Sequence, residues 1–434
     1  MPGVLEKFFA EVGEKLEDHI TLRNLEPACH YRWTDGSTLN LPFDVDAVPD
    51  AIEQFSPGNG SAVRAYLRDA RELYELTKDI FLFRPFAGAA ELMSARNRPL
   101  LWKLPQLRFW QNLHNVHRKR FSDKRVVQLF DRFATYNGSS PFRAPATLMV
   151  IPWVEIGLGA WYPEGGMGEL VRAVARVAEK LGVNIQTGTR VRSIIHENNA
   201  VRGVILADES RIEANHVVSN VDAYTTRTEL LGIRPTRTPE LSSSGVVLHC
   251  AVDSGIEGLE HHNVFFADDY RAEFRHIEQN THPHPDATVY VSRSVVHTPT
   301  HAPPGRENWF VLVNAPPNGA TTHRNTEGGV WSAAEAEAVA QNILRRLRAF
   351  NVSPTVRAIT VRTPTTMATE WGSYGGALYG SSSNSISSAF MRQPQQSKEL
   401  KNLWYVGGSA HPGGGVPLVI TSGLIASSLI LSSP

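Results

Sequence analysis

Three observations predict an α/β protein with a mixed sheet and a helical insertion. Helix, short strand, hairpin and strand signals follow one another over residues 161–223, and strand-like runs separated by polar loops fill residues 241–316. Five glycines and two prolines then crowd into Gly407–Pro417, directly before an apolar segment of helical length.

In chain order, Val4, Phe8, Phe9, Val12 and Leu16 recur at helical spacing among charges, which predicts an amphipathic helix over residues 4–16. Asp35-Gly36 within "YRWTDGSTLNLP" sits between two strand-like arms and predicts a hairpin. Residues 61–83 predict a helix opened by Ser61, with Tyr66, Leu67, Ala70, Leu73 and Leu76 on one side. Residues 101–125 hold seven Lys/Arg against one Asp, interleaved with Trp102, Phe109, Trp110 and Phe121. Such a segment suits a membrane-surface anchor, and equally a helical lid with a solvated basic face.

Gly165-Gly166 precede a predicted helix over 168–181, with Leu170, Val171, Val174, Val177 and Ala178 inward and Gly182 ending it. A short strand over Val183–Gln186, arms at about 190–196 and 201–206, and a strand at Val217-Val218 follow. That succession suits one edge of a nucleotide-binding α/β layer. The runs "GVVLHCAVD", "ATVYVSRSVV" and "NWFVLVNAPP" predict a mixed or antiparallel sheet, and a helix is expected over 332–350.

With 434 residues the chain has room for two or three domains. Lys+Arg and Asp+Glu both number 43, so zero net charge argues against a global nucleic-acid binder. The two cysteines, Cys29 and Cys250, fit a reducing, intracellular setting. The N-terminus lacks the basic and apolar regions of a signal peptide, and no apolar run reaches the roughly 20 residues a membrane span needs. His276, His282 and His284 lie among prolines without an acid or Cys at ligand spacing, so no metal site is expected.

The glycine-rich stretch is the most informative. Glycines this dense mean a sharp backbone turn, or close approach to something with no side chain between. A strand, a glycine turn and a helix beginning near Gly415 would aim orphan N–H groups and the positive dipole end at whatever fills the turn.

The stretches "GSSPFRAPATLMVIPWVEIGLGAWYPEGGMGEL", "NVFFADDYRAEF", "WFVLVNAPP", "GGALYGSSSNS" and "NLWYVGGSAHPGGGVPLVITSG" carry a resemblance. Together they resemble the phytoene-desaturase-type carotenoid desaturases and oxygenases, flavoproteins of the flavin amine-oxidase-like group, over essentially the whole chain. The resemblance implies a Rossmann-type FAD domain (residues 161–223 and 395–434) and a mixed-sheet substrate domain (1–60 and 224–394). It also implies a helical, membrane-facing lid (61–160). FAD is the implied cofactor, with Gly407, Gly408, Ser409, His411, Gly413, Gly414, Gly415 and Val416 at flavin-contacting positions. Val191, in the strand after Thr189, matches a position that pairs main chain with the adenine.

The implied reaction passes a hydride from an acyclic carotenoid to the flavin while a neighbouring proton leaves, creating a double bond. Such a substrate lives in lipid, which implies a cytoplasmic protein attached peripherally to the inner face of the membrane. Arg143, Glu155 and Glu164 are polar groups near the expected tunnel, and none is assigned as the proton acceptor. A terminal-methyl oxidase or oxygenase of the same family is the alternative; a flavin-free carotenoid-binding paralogue is the third reading. The last is raised by one departure: no GxGxxG occurs, and "EGGMGEL" lacks the spacing. The opening "MPGVLEKFFAEVG" matches a point inside the family pattern, so weak FAD affinity and an uncovered sheet edge are expected.

Overall fold

The structure, a computed structural model, describes residues 1–86, 108, 110–233, 239–317, 330–385 and 392–432. In chain order its strands are β1 (Leu22–Asn24), β2 (Cys29–Arg32), β3 (Thr38–Leu41), β4 (Trp161–Pro163), β5 (Val191–Glu197), β6 (Ala200–Leu206) and β7 (Arg211–Glu213). They continue with β8 (Val217–Ser219), β9 (Ser244–Asp253), β10 (His262–Phe265), β11 (Val289–Ser292), β12 (Arg306–Ala315), β13 (Val356–Arg362) and β14 (Leu403–Tyr405).

Seven strands form the main sheet in the order β13-β9-β12-β11-β10-β2-β3. Its spine is β9 against β12, antiparallel from Arg306↔Asp253 to Ala315↔Ser244. Along β12 the buried residues Glu307, Trp309, Val311, Val313 and Ala315 alternate with more exposed ones, the period-2 pattern of a strand covered on one face. The helix Ala333–Arg348 covers that face with Ala340, Ile343, Leu344 and Leu347, started by a Ser332/Glu335 capping box. The hairpin β2–β3 joins through a parallel step, Tyr31↔Val264, and its Asp35-Gly36 turn is as the sequence predicts.

On the far side of β2 and β10, Tyr31, Trp33, Val264 and Phe266 share one core with the helices Val48–Phe55, Gly60–Phe81, Leu113–Arg120 and Lys124–Asp131. The described helices of residues 61–160 therefore pack on the sheet together with the helix Val48–Phe55, which lies outside the range implied for the lid. Much of the basic segment 101–125 lies outside the described residues. Of the part described, Arg108 and Arg120 both reach Asp69, and Arg125 pairs with Asp123 at 2.7 Å. Trp110, Arg118 and Lys119 are exposed.

Several expectations need correction. The first helix stops at Glu11, because Gly13 turns with φ +78° before a 3₁₀ turn at Leu16–Asp18. Asn59, rather than Ser61, precedes the helix Gly60–Phe81. The helix Met167–Lys180 buries Leu170, Ala173 and Val177, whereas Val171 is 69 % exposed on the other side. Residues 183–186 form no strand: Val183 and Ile185 are exposed, and no described strand lies alongside to form a ladder. β5, β6 and β7 make a separate antiparallel sheet, and β14 pairs with β8 in parallel as a two-stranded sheet. No helix among the described residues is long and apolar enough to cross a membrane.

The fully buried Glu273 makes the fold pH-sensitive. Its carboxylate accepts from Thr288 N (3.1 Å) and Thr288 Oγ1 (2.8 Å), yet burial outweighs these bonds and holds its pKa up at about 7. A carboxyl raised in the folded state gives stability that is complete below its ordinary value of 4.5 and is lost as pH rises through about 7. That loss amounts to about 3 kcal/mol. Glu273→Gln, which imitates the protonated form, is expected to match wild type in Tm at pH 4 and to exceed it increasingly up to pH 7 to 8. A Tm difference independent of pH would refute this.

Candidate active site

β14 lies beside β8 in register Leu403↔Val217 to Tyr405↔Ser219, and Val406 N still donates to Ser219 O at 3.0 Å. The chain then leaves the sheet at Gly407, with φ +94°. A Cβ there would stand 2.2 Å from Asn220 Oδ1, so only glycine fits. The Gly407 amide donates to Ser422 Oγ at 3.3 Å, tying the turn to the helix Val416–Ser432. Ser409 Oγ accepts from Ala223 N at 2.9 Å. Beside it, burial holds the Asp222 carboxyl up at about 6, although Asp222 accepts from the amides of Tyr224 and Thr225. His411 is buried, and its Nε2 lies 2.9 Å from Arg84 O, bracing the turn against the chain just past the helix Gly60–Phe81.

The remaining glycines divide into two kinds. A Cβ on Gly414 would fall 2.0 Å from Tyr379 Cδ1, and one on Gly413 (φ +130°) would crowd the Arg392 guanidinium. Gly415, by contrast, has φ +103° and nothing within 4 Å of where a Cβ would be. Gly408 would meet only the Gly414 Cα, at an ordinary 3.6 Å. Gly415 and Val416 are exposed at the start of the helix, where first-turn amides have no intrahelical acceptor. A flat, electron-rich group could lie there against the helix dipole.

Two other family-like stretches meet this turn. Asn137 Nδ2 donates to Ser383 Oγ at 2.8 Å, Ser140 N to Asn384 Oδ1 at 2.9 Å, and Ser383 N to Ser139 Oγ at 3.0 Å. Buried Arg392 joins all three, donating to Tyr379 O (2.9 Å), Asn137 Oδ1 (2.8 Å) and Gly408 O (3.4 Å). Burial pulls its pKa down to about 10.

Tyr379 also walls a cavity of about 340 Å³ between the lid and the sheet. Cys29, His262, Val264, Tyr290 and Leu312 line it from the strands, and Arg132, Tyr136 and Glu155 from the lid. Arg132 donates to the hydroxyls of Tyr136 and Tyr31, both at 2.9 Å, and to Glu155 Oε1 at 3.3 Å. Tyr290 Oη lies 2.7 Å from His262 Nδ1. Burial, then the neighbouring His261, push His262 down to about 3, while burial pushes the Cys29 thiol up to about 12. Near neutral pH the imidazole and the thiol are both uncharged.

Of the three polar groups singled out in the sequence, only Glu155 reaches the cavity. Arg143 pairs with Glu240 at 2.9 Å, and Glu164 pairs with Arg23 at the surface. The structure brings Gly407 to Val416 together as one loop. Val191 opens β5, opposite Leu206, and its strand neighbour Ile194 shares a small core with Tyr405 and Ala410 of the turn. Sequence reasoning missed Asn220, Asp222, Tyr379, Arg392 and Arg132. The "SNVDA" at the end of β8 and the Tyr379-Gly380 pair were the available signals.

The chain matches the flavin containing amine oxidoreductase family over residues 5–431. It is 34 % identical over 410 residues to a 1-hydroxycarotenoid 3,4-desaturase of Flavobacterium sp. (strain P99-3), covering 93 % of this chain and 82 % of that one. It is 27 % identical over 440 residues to a 4,4'-diapolycopene oxygenase of Methylomonas sp., covering 100 % and 87 %. Among solved structures, an oxidoreductase from Methanosarcina mazei shares the fold with TM-score 0.60 and 16 % identity, over 99 % of this chain and 85 % of that chain. The mixed sheet, the glycine turn at a helix start and these matches agree: the chain belongs to the flavin containing amine oxidoreductase family.

Proposed function

We propose that this chain is an FAD-dependent desaturase of an acyclic carotenoid. The observation that carries the reading is the position of Tyr379, whose ring lies against Gly414 of the turn and which also lines the cavity. Substrate space and cofactor turn thus share one wall. The greater identity to a desaturase than to an oxygenase favours loss of hydrogen over gain of oxygen.

The residues present fit the flavin end of FAD. Gly408, Gly415 and Val416 offer open backbone, and Gly407, Ser409, His411, Gly413 and Gly414 hold that backbone in shape. Val191 would pair with the adenine. When bound, the flavin supplies the two-electron acceptor for a hydride leaving a saturated carbon. The first-turn amides of the helix Val416–Ser432 would stabilise negative charge gathering at the turn. The aromatic and aliphatic walls would shield the reacting carbons from water and hold the chain in place. Exposed Trp110, Arg118 and Lys119 on the lid suit docking on the anionic inner face of a membrane, from which a polyene would enter.

Two measurements test the reading. Supplied with FAD, an acyclic carotenoid in lipid vesicles and an electron acceptor, the protein is expected to yield a product with a longer chromophore and no added oxygen. Bound flavin with an unchanged carotenoid would overturn it, and an oxygenated product would move it to the oxygenase. The second compares two glycines. Gly408→Ala is expected to change stability by no more than about 0.5 kcal/mol while weakening flavin binding about tenfold. Gly414→Ala must displace Tyr379 and is expected to cost about 2–3 kcal/mol as well as the flavin. Wild-type flavin affinity in Gly408→Ala would show that the flavin lies elsewhere.

A further inference from the structure

A desaturation leaves the protein with a proton to dispose of. One C–H bond gives up its hydrogen with both electrons, as the hydride that passes to the bound flavin. The electron pair of the neighbouring C–H bond becomes the new π bond, and its hydrogen leaves as a proton into the cavity between lid and sheet. The buried Arg132 cation already lines that cavity, so a retained proton would add a second charge in low dielectric. Few cavity groups can take it. Glu155 is the counter-charge of Arg132 at 3.3 Å, and protonating it would leave that cation uncompensated. Burial keeps the Cys29 thiol and the Tyr136 and Tyr290 hydroxyls protonated. His262 is different. With its Nδ1–H donating to Tyr290 Oη at 2.7 Å, Nε2 holds a lone pair and makes no hydrogen bond among the described residues.

His262 also stands at the end of a chain of imidazoles. Its ring centroid lies 4.5 Å from that of His261, which is buried. His261 Nδ1 lies 2.9 Å from His297 Nδ1, a contact that needs a proton on one ring and a lone pair on the other. The Tyr162 ring packs on His261 at 4.7 Å and its hydroxyl pairs with Thr298 at 2.8 Å, which holds the two imidazoles together. His297 is half-buried, beside Arg23 and Glu260, where water reaches. We propose that His262 accepts the proton released by desaturation, and that His261 and His297 carry it from the cavity to solvent. The inference rests on the desaturase reading above and adds the proton's acceptor and its exit. Loss of hydride makes the adjacent C–H of the polyene strongly acidic, so a weakly basic imidazole suffices. Burial holds His262 down at about 3 and His261 at about 4, an order that favours transfer outward. Between these two rings, a ring rotation or one bridging water completes the path.

The relay is tested first without flavin or turnover. Exchange of the His262 ring proton with solvent, followed by NMR on flavin-free protein with labelled imidazoles, is expected to slow about tenfold in His297→Leu. His297 does not line the cavity, so this variant leaves the substrate walls as they are. With FAD and an acyclic polyene in lipid vesicles, His262→Gln is expected to keep its polyene Kd within about twofold, read by tryptophan quenching, yet to desaturate about a hundredfold more slowly. His297→Leu is expected to match wild type in the first turnover and to fall about tenfold in later ones. Added imidazole is expected to restore turnover in His297→Ala, which a purely structural role for His297 would not allow. Unchanged exchange at His262 in His297→Leu, or wild-type desaturation by His262→Gln, would overturn the relay and leave the desaturase reading standing. Wild type that binds flavin and polyene but forms no double bond would overturn both.

Discussion

The site depends on one steric clamp, the ring of Tyr379 held between two glycines. A Cβ on Gly138 would come within 2.9 Å of its Cδ2, and one on Gly414 within 2.0 Å of its Cδ1. These glycines belong to loops far apart in sequence, one inside the lid and one following β14. Neither loop could close on the ring if it carried a side chain. With the ring gripped, Arg392 can reach Tyr379 O, Asn137 Oδ1 and Gly408 O together. The contact thus fixes three segments at once and sets the wall between turn and cavity.

Electrostatics on the cavity side follow from burial. Arg132 is the one charge there that the fold surrounds with π faces, lying about 5 Å from the rings of Tyr31, Phe133 and Tyr136. Its positive field helps keep His262 neutral, and burial keeps Cys29 a thiol. The cavity therefore presents directed hydrogen-bonding groups, with Glu155 as the counter-charge to Arg132. Such a surface orients a ligand by where its polar atoms fall, while the apolar strand residues Val264 and Leu312 add area without direction.

Much of this architecture was legible in the sequence, and the limits are physical. β12 announces itself by period-2 alternation, β9 by its apolar run Val246–Leu248 and the β2–β3 hairpin by Asp35-Gly36, signals that are local. The glycine turn was legible for the same reason. Residues 183–186 have strand composition but form none, because a strand needs a neighbour that composition does not reveal. The inward face of the helix Met167–Lys180 was misjudged at Val171, since apolar residues occur on more than one of its sides. Arg132, His262 and Tyr379 converge from segments more than a hundred residues apart, so no spacing rule could have joined them. The two glycine roles were likewise hidden, because Gly414 and Gly415 are adjacent and only their neighbours in space distinguish them.

The polar residues that interrupt the final helix show how local exceptions serve the site. Thr421 and Ser422 break an otherwise apolar run, yet they are among its few buried residues, while Leu431 is 83 % exposed. Burying a hydroxyl without a partner would cost about 1–3 kcal/mol. Thr421 meets that demand inside the helix by donating to Pro417 O at 2.9 Å. Ser422 meets it across the turn by accepting from the amide of Gly407 at 3.3 Å. Gly407 cannot use its amide in the β14–β8 ladder, because its positive φ has already turned the chain out of the sheet. An apolar residue at 422 would leave that amide buried and unpaired at the point where the turn begins. The serine therefore fixes the helix to the turn, and with it the orientation of the helix start that faces the open backbone of Gly415.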